Sequence, residues 1–200
     1  MTTSDANVGA MQQESWKILL KAHEQYFSET PRAYDEVLDE VAGRIGSSKS
    51  IGKADIGSLL LWKRLRADTR WVRNLMVIPD KEVREHTLKA VEAANDLSRS
   101  VPEAAASGRS ALSPLPGFQA GDALASALLL AAAPERMAVY DRRAQGGLEM
   151  LGLQLSPARG RYGRYMELVE NIRLSASAND HEWTARDVDV ALYWLGGSIY

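Results

Sequence analysis

Between two segments of helical periodicity the chain reads Leu115-Pro116-Gly117-Phe118-Gln119, and 24 residues beyond Gly117 an acid, Asp141, stands in Ala138-Val139-Tyr140-Asp141-Arg142-Arg143-Ala144. Gly117 tolerates a positive φ and lets the backbone come close to another group. The unpaired N–H groups in the first turn of the following helix then suit a phosphate. The same turn also joins helices that bind nothing. Asp141 in turn is either a functional carboxylate or the N-cap of the next helix, a position Asp favours.

Outward from the hairpin, nearly every periodic segment has helical spacing. Trp16, Leu19, Leu20, His23 and Phe27 follow the i, i+3, i+4, i+7 rule, as do Tyr34, Val37, Leu38, Val41 and Ile45 after Pro31. Further helices are expected over 53–66, over 69–77 up to Pro79, and over 81–97 behind an Asp80 cap, burying Val83, Leu88 and Val91. A short helix over 102–111 precedes the hairpin. The segment 121–133 is apolar nearly all round, which places it in the middle of the protein. Helices over 141–152 and 162–176 follow, and Thr184-Ala185-Arg186-Asp187 has the form of a capping box opening a last helix that ends at Gly196-Gly197. No segment reads as a strand. The fold class is all-α, with residues 1–12 as a flexible N-terminus and 13–200 as one domain in two parts, about 13–100 and 101–200.

Composition narrows the chemistry. The absence of cysteine excludes disulfides, thiolate zinc sites and cysteine-held iron–sulfur clusters. His23, His86 and His181 lack metal-ligand spacing, so no metal and no cofactor is expected, and His23 reads as a packed core histidine. Without a signal-peptide pattern or a membrane-length apolar run, the expectation is a cytoplasmic monomer with no membrane partner. Net charge is −2, yet residues 63–73 carry five bases against one acid, and residues 135–164 carry six against three. Such local stretches suit a confined phosphate-contacting face, or are solvated helix surfaces.

The order helix, L-P-G hairpin, apolar helix, V-x-D resembles the helix-hairpin-helix DNA glycosylase superfamily, whose members include proteins like endonuclease III. Leu115, Pro116, Gly117 and Phe118 carry the hairpin match, Ala125 to Leu130 the apolar helix, and Val139-Tyr140-Asp141 the terminal acid. A weaker likeness runs through Asp187 to Trp194, as in the closing helix of uncharacterised bacterial relatives. One departure is Gln119, which occupies the place of the second glycine, a role Gly121 can assume only in a rearranged loop. The resemblance implies a helix-hairpin-helix glycosylase-like bundle binding double-stranded DNA with a flipped base. It implies Asp141 as the carboxylate that stabilises charge at the anomeric carbon or positions water, and Pro116, Gly117, Phe118, Gln119 and Gly121 as the phosphate anchor. It also implies that the lysine of strand-cleaving members is missing, because Ala123 stands at its position. A monofunctional N-glycosidic hydrolase is therefore the expectation. The alternative is a non-catalytic DNA-binding relative or a helical protein-interaction module.

Around these stand secondary candidates. Lys63, Arg66 and Arg142 are expected to contact phosphate. Trp62 either stacks on a base or packs in the core, and Tyr140, Tyr162 and Tyr165 face the same choice. Arg142 and Arg143 can alternatively hold the Asp141 carboxylate ionised.

Overall fold

A computed structural model describes residues 13–197, so the flexible terminus expected over 1–12 lies outside the described residues. Among the described residues there is no strand, and the chain is all-α. The helices are α1 (Gln13–Glu29), α2 (Glu36–Ser48), α3 (Lys53–Trp62), α4 (Arg70–Met76), α5 (Asp80–Asn95), α6 (Val101–Leu112), α7 (Ala123–Ala132), α8 (Arg142–Met150), α9 (Arg161–Ser177) and α10 (Ala185–Gly197). No helix among them is long and apolar enough to cross a membrane.

The central element is α7. Leu124 through Ala131 are all buried, as the uniformly apolar segment requires, and α2, α3, α5 and α6 pack around it. Each of Leu128, Leu129 and Leu130 removes a full side chain from water, worth on the order of 2 kcal/mol apiece. The exception, Ser126, is fully buried but satisfied, a point that matters at the site.

Several boundaries differ from the sequence reading for local reasons. In α1 the buried stripe is Trp16, Leu19, Ala22 and Tyr26, leaving Phe27 58% exposed. His23 is half-buried, stacked on Trp183 at 4.6 Å and bonded through Nε2 to Asp187 at 2.9 Å. Leu88 is 37% exposed, and Thr87 and Ala90 take the inward face of α5. Asp80 does not cap its own helix. Its Oδ1 accepts the backbone N–H of Lys53, the first residue of α3, at 2.7 Å, and its Oδ2 accepts from Arg84. The capping box at Thr184 and Asp187 forms as expected.

Glycine sets the closest helix crossing. A Cβ on Gly196 of α10 would lie 1.9 Å from the carbonyl oxygen of Arg143 in α8, and one on Gly147 would lie 2.4 Å from that of Leu192. Gly196 is thus a contact position at the end of α10, whose described residues stop at Gly197 as the sequence suggests, and it draws α8 hard against α10.

Candidate functional site

Asp141 is the N-cap of α8. Its backbone is extended, and its Oδ1 accepts from the N–H groups of Arg143 at 2.9 Å and Ala144 at 3.0 Å. The capping reading of this residue holds, and its other oxygen is directed elsewhere. Oδ2 accepts from Lys63 Nζ at 2.6 Å, from a residue 78 positions away. The two side chains are 18% and 11% exposed, so the pair is shielded more than a surface ion pair and solvated more than an interior one.

The segment leading into Asp141 has no helical or strand partner, yet Met137 to Tyr140 are all buried. Buried backbone polar groups must be satisfied, and here side chains do it. Tyr162 donates its hydroxyl to the Ala138 carbonyl and Tyr165 donates to that of Val139, each at 2.9 Å. The Val139 N–H donates to Asp189 Oδ1 at 3.1 Å, and the Tyr140 N–H to Ser126 Oγ at 2.9 Å. Four side chains from α7, α9 and α10 thus fix the backbone on which Asp141 is carried. Tyr162 and Tyr165 take the core alternative, and burial drives both hydroxyls well above the usual tyrosine range, so they stay protonated donors.

Asp189 is 3% exposed, and burial raises its carboxyl against the opposing pull of Arg186 and Lys63. Arg186 bonds both Asp189 and Asp35, and Asp35 also accepts from Trp62 Nε1 at 3.0 Å. For Arg186 itself, burial opposes the charge, but Asp189 and Asp35 outweigh it and raise its pKa. Trp62 is 7% exposed and locked into this network. Its core alternative holds, and the expectation that it stacks on a base is corrected.

Lys63 reaches the acid because α3 stops four residues earlier than the sequence suggests. The N–H of Arg64 bonds the Leu61 carbonyl and that of Leu65 bonds the Leu60 carbonyl, each at 2.9 Å, with Arg64 left-handed at φ 54°. This is a Schellman ending with arginine where glycine is usual. The turn aims Lys63 inward, with Nζ 5.5 Å from the ring centres of both Trp62 and Tyr193. Arg66, expected on phosphate, lies beyond the turn, exposed and paired with Asp68.

Lys63 and Asp141 sit on the wall of an open cleft of about 590 Å³, within the range of small-ligand sites. Arg64, Arg142, Arg143 and Arg161 join Lys63 there, so five basic side chains face two acids, Asp141 and Asp122. Arg142 is exposed and makes no hydrogen bond or ion pair with the described residues. Tyr140 lines the cleft under the Arg161 guanidinium, 5.2 Å from its ring centre. Burial raises the Tyr140 hydroxyl pKa, with Arg161 opposing.

The hairpin meets this cleft only at its far end. Gly121, Asp122 and Ala123 line it. Gly121 has φ +76° and open space where a Cβ would be. Gly117 does adopt a positive φ, +92°, but its open face is covered by Trp71, 2.3 Å from where a Cβ would stand. Its N–H is also taken, by Gln119 Oε1 at 3.1 Å, while Gln119 Nε2 donates to the Leu115 carbonyl at 2.7 Å. Phe118 is fully buried. The expectation that Gly117, Phe118 and Gln119 offer themselves to phosphate is therefore corrected: they build the turn. Pro116 is half-buried and outside the cleft lining.

Arg109, which the sequence reading passed over, staples the turn. It donates to the carbonyls of Phe118 and Gly121 and to Asp122 Oδ1. No local motif advertises it, since its partners lie 9 to 13 residues ahead in a loop. No protein-family model, curated protein or solved structure matches this chain.

Proposed function

We propose that the chain releases a damaged or modified base from double-stranded DNA by hydrolysing the N-glycosidic bond. The observation that carries this reading is the placement of Asp141: a rigidly held carboxylate on the wall of a nucleotide-sized, predominantly basic cleft. A nucleotide flipped from the duplex presents its sugar to such a wall, at a few kcal/mol in lost stacking and pairing. As the base departs, positive charge grows on the anomeric carbon, and a fixed carboxylate stabilises that charge more than the ground state. Arg142, Arg143 and Arg161 hold the flanking phosphates, Gly121 permits close backbone approach, and Tyr140 borders the base. Lys63 pairs with the acid until substrate enters.

The test is Asp141→Asn. An asparagine oxygen still accepts from Arg143 and Ala144, so the N-cap survives and the fold with it. The variant is expected to lose base release by at least about 100-fold on duplexes carrying modified bases, while salt-dependent duplex binding persists. A second reading, a DNA-binding relative without chemistry, is favoured by one observation: both Asp141 oxygens already have partners. Duplex binding with no base released from any modified substrate would select it.

A further inference from the structure

Tyr193 of α10 gathers three cations from two other parts of the chain. Arg64 Nη2 donates to its hydroxyl at 2.8 Å, the Arg143 guanidinium carbon stands 4.6 Å from its ring centre, and Lys63 Nζ lies 5.5 Å from the same centre. Arg142 lines the same cleft. Nothing in the fold calls for this concentration. Arg64 is held at φ 54°, where glycine is the less strained residue. Arg142 and Arg143 occupy the first turn of α8, where the helix dipole disfavours cations, and that turn contains no acid. The cap of α8 uses the backbone N–H of Arg143, so its side chain is not needed there. Departures of this kind from local preference collect at functional sites.

The acids of the cleft do not balance these cations. Asp122 is engaged with Arg109 and Arg161, at 2.7 and 3.3 Å. With that group set aside, the wall carries Lys63, Arg64, Arg142 and Arg143 against Asp141 alone. The guanidinium groups of Arg142 and Arg143 have no hydrogen-bond acceptor among the described residues. A guanidinium fork matches two phosphate oxygens at once. We propose that Tyr193 is the centre of a binding site for the terminal phosphate of a small phosphate monoester, held by Arg64, Arg142 and Arg143 with Lys63 beside it. A monoester brings about two negative charges at neutral pH, against about one for each phosphate of a DNA backbone. The excess of charge at Tyr193 matches the former, and its convergence on one ring suits a single phosphate rather than a row of them. The rest of the cleft, bordered by Leu65, Ala123 and Tyr140, has room for the body of a nucleoside monophosphate or a sugar phosphate. This site goes beyond base release, since it needs neither a duplex nor chemistry at Asp141.

The experiment is calorimetric titration of the full chain with four probes: adenosine 5′-monophosphate, ribose 5-phosphate, adenosine, and a dinucleoside whose one phosphate is a diester. At least one of the two monoesters is expected to bind about tenfold or more tightly than adenosine and the diester, and to weaken as salt is added. Arg143→Gln and Arg142→Gln should each lower that affinity by about tenfold, the value of a hydrogen bond to a charged group. Arg64→Gly separates binding from folding. Glycine is the usual residue at such a turn, so this variant should keep its thermal stability while its monoester affinity falls by a similar factor. Tighter binding of the nucleotide than of ribose 5-phosphate identifies a nucleoside monophosphate as the occupant, and comparable or tighter binding of ribose 5-phosphate identifies a sugar phosphate. The proposal is overturned if neither monoester binds at millimolar concentration, if the diester binds as tightly as the monoesters, or if affinity is undiminished in Arg64→Gly and Arg143→Gln. Because no duplex is present and no bond is broken, the result stands apart from the outcome of the base-release assay.

Discussion

Replacing Gly196 by alanine tests the close crossing of α8 and α10, and through it the placement of the acid. In an exposed helix interior the change would stabilise by about 1 kcal/mol, since alanine has the higher helix propensity. Here the new Cβ would stand 1.9 Å from the Arg143 carbonyl oxygen and 2.7 Å from the Gly147 nitrogen, both backbone atoms, where real contacts begin at 3.0 Å. No side chain can rotate away, so one helix must move by about 1 Å. Overpacking costs about 1–3 kcal/mol, and a backbone obstacle puts this case at the upper end. The net expectation is a loss of about 2 kcal/mol. For a domain of this size that lowers Tm by roughly 4–8 °C. Gly43 is the control: it is exposed in α2 with nothing within 4 Å of a Cβ, so Gly43→Ala should raise Tm slightly. Because Arg143 belongs to the first turn that Asp141 caps, Gly196→Ala should also displace the carboxylate. A shift near 1 Å can reduce a positioned catalytic group's effect by about 100-fold. Thermal unfolding followed by circular dichroism, for both variants in parallel, decides the matter. If Gly196→Ala melts at or above the unaltered protein, the crossing is not as tight as drawn and the coupling to Asp141 fails with it.

Two further outcomes follow from polar groups near the site. Ser126→Ala removes the acceptor for the buried Tyr140 N–H, and denaturant titration should show a loss of about 1–3 kcal/mol, whereas an unchanged midpoint would mean that this N–H is satisfied otherwise. Asp187 is disfavoured by burial, but bonds from His23 and Thr184 outweigh that and hold its carboxyl down at about 2, below its ordinary 3.8. Its contribution, about 1 kcal/mol after solvent screening, is complete above pH 3.8 and vanishes as pH falls through about 2. Asp187→Asn should flatten the acid limb of the stability–pH curve in that window, and an unaltered limb would refute the assignment.

The parts of this molecule that are legible in sequence are those that depend on neighbours in the chain. The apolar run in α7 announces its own burial, and the Thr184–Asp187 box lies within four residues of itself. Where an ending depends on distant partners, the reading slips. α3 was expected to run to Arg66 because nothing in Trp62-Lys63-Arg64-Leu65 signals a stop, and the Schellman turn there uses arginine in place of glycine. Holding arginine at positive φ costs on the order of 1 kcal/mol, offset in part by its hydrogen bond to the Tyr193 hydroxyl at 2.8 Å. Asp80 carries the sequence signature of a cap and is one, but for a helix 27 residues earlier.

The same distinction governs the site. Asp141 stands out in the sequence by its place after the hairpin and the apolar helix, and its capping partners are two and three residues on, while its other contacts come from elsewhere in the chain. Lys63 comes from the first half of the molecule, Ser126 from the central helix, Tyr165 from α9 and Asp189 from α10. A charge run around Lys63 and Arg66 suggests phosphate contacts for both, yet the early end of α3 sends one inward to the acid and leaves the other outside on Asp68. Gln119 illustrates the reverse case: the residue that departs from the hairpin pattern completes the hydrogen bonding of the turn. With the N–H of Gly117 satisfied and its open face covered, the accessible backbone of this turn lies further on, at Gly121, which lines the cleft together with the arginines. The cleft therefore owes its charge to side chains more than to exposed backbone, and lysine or arginine substitutions should affect it more than changes within the L-P-G turn itself.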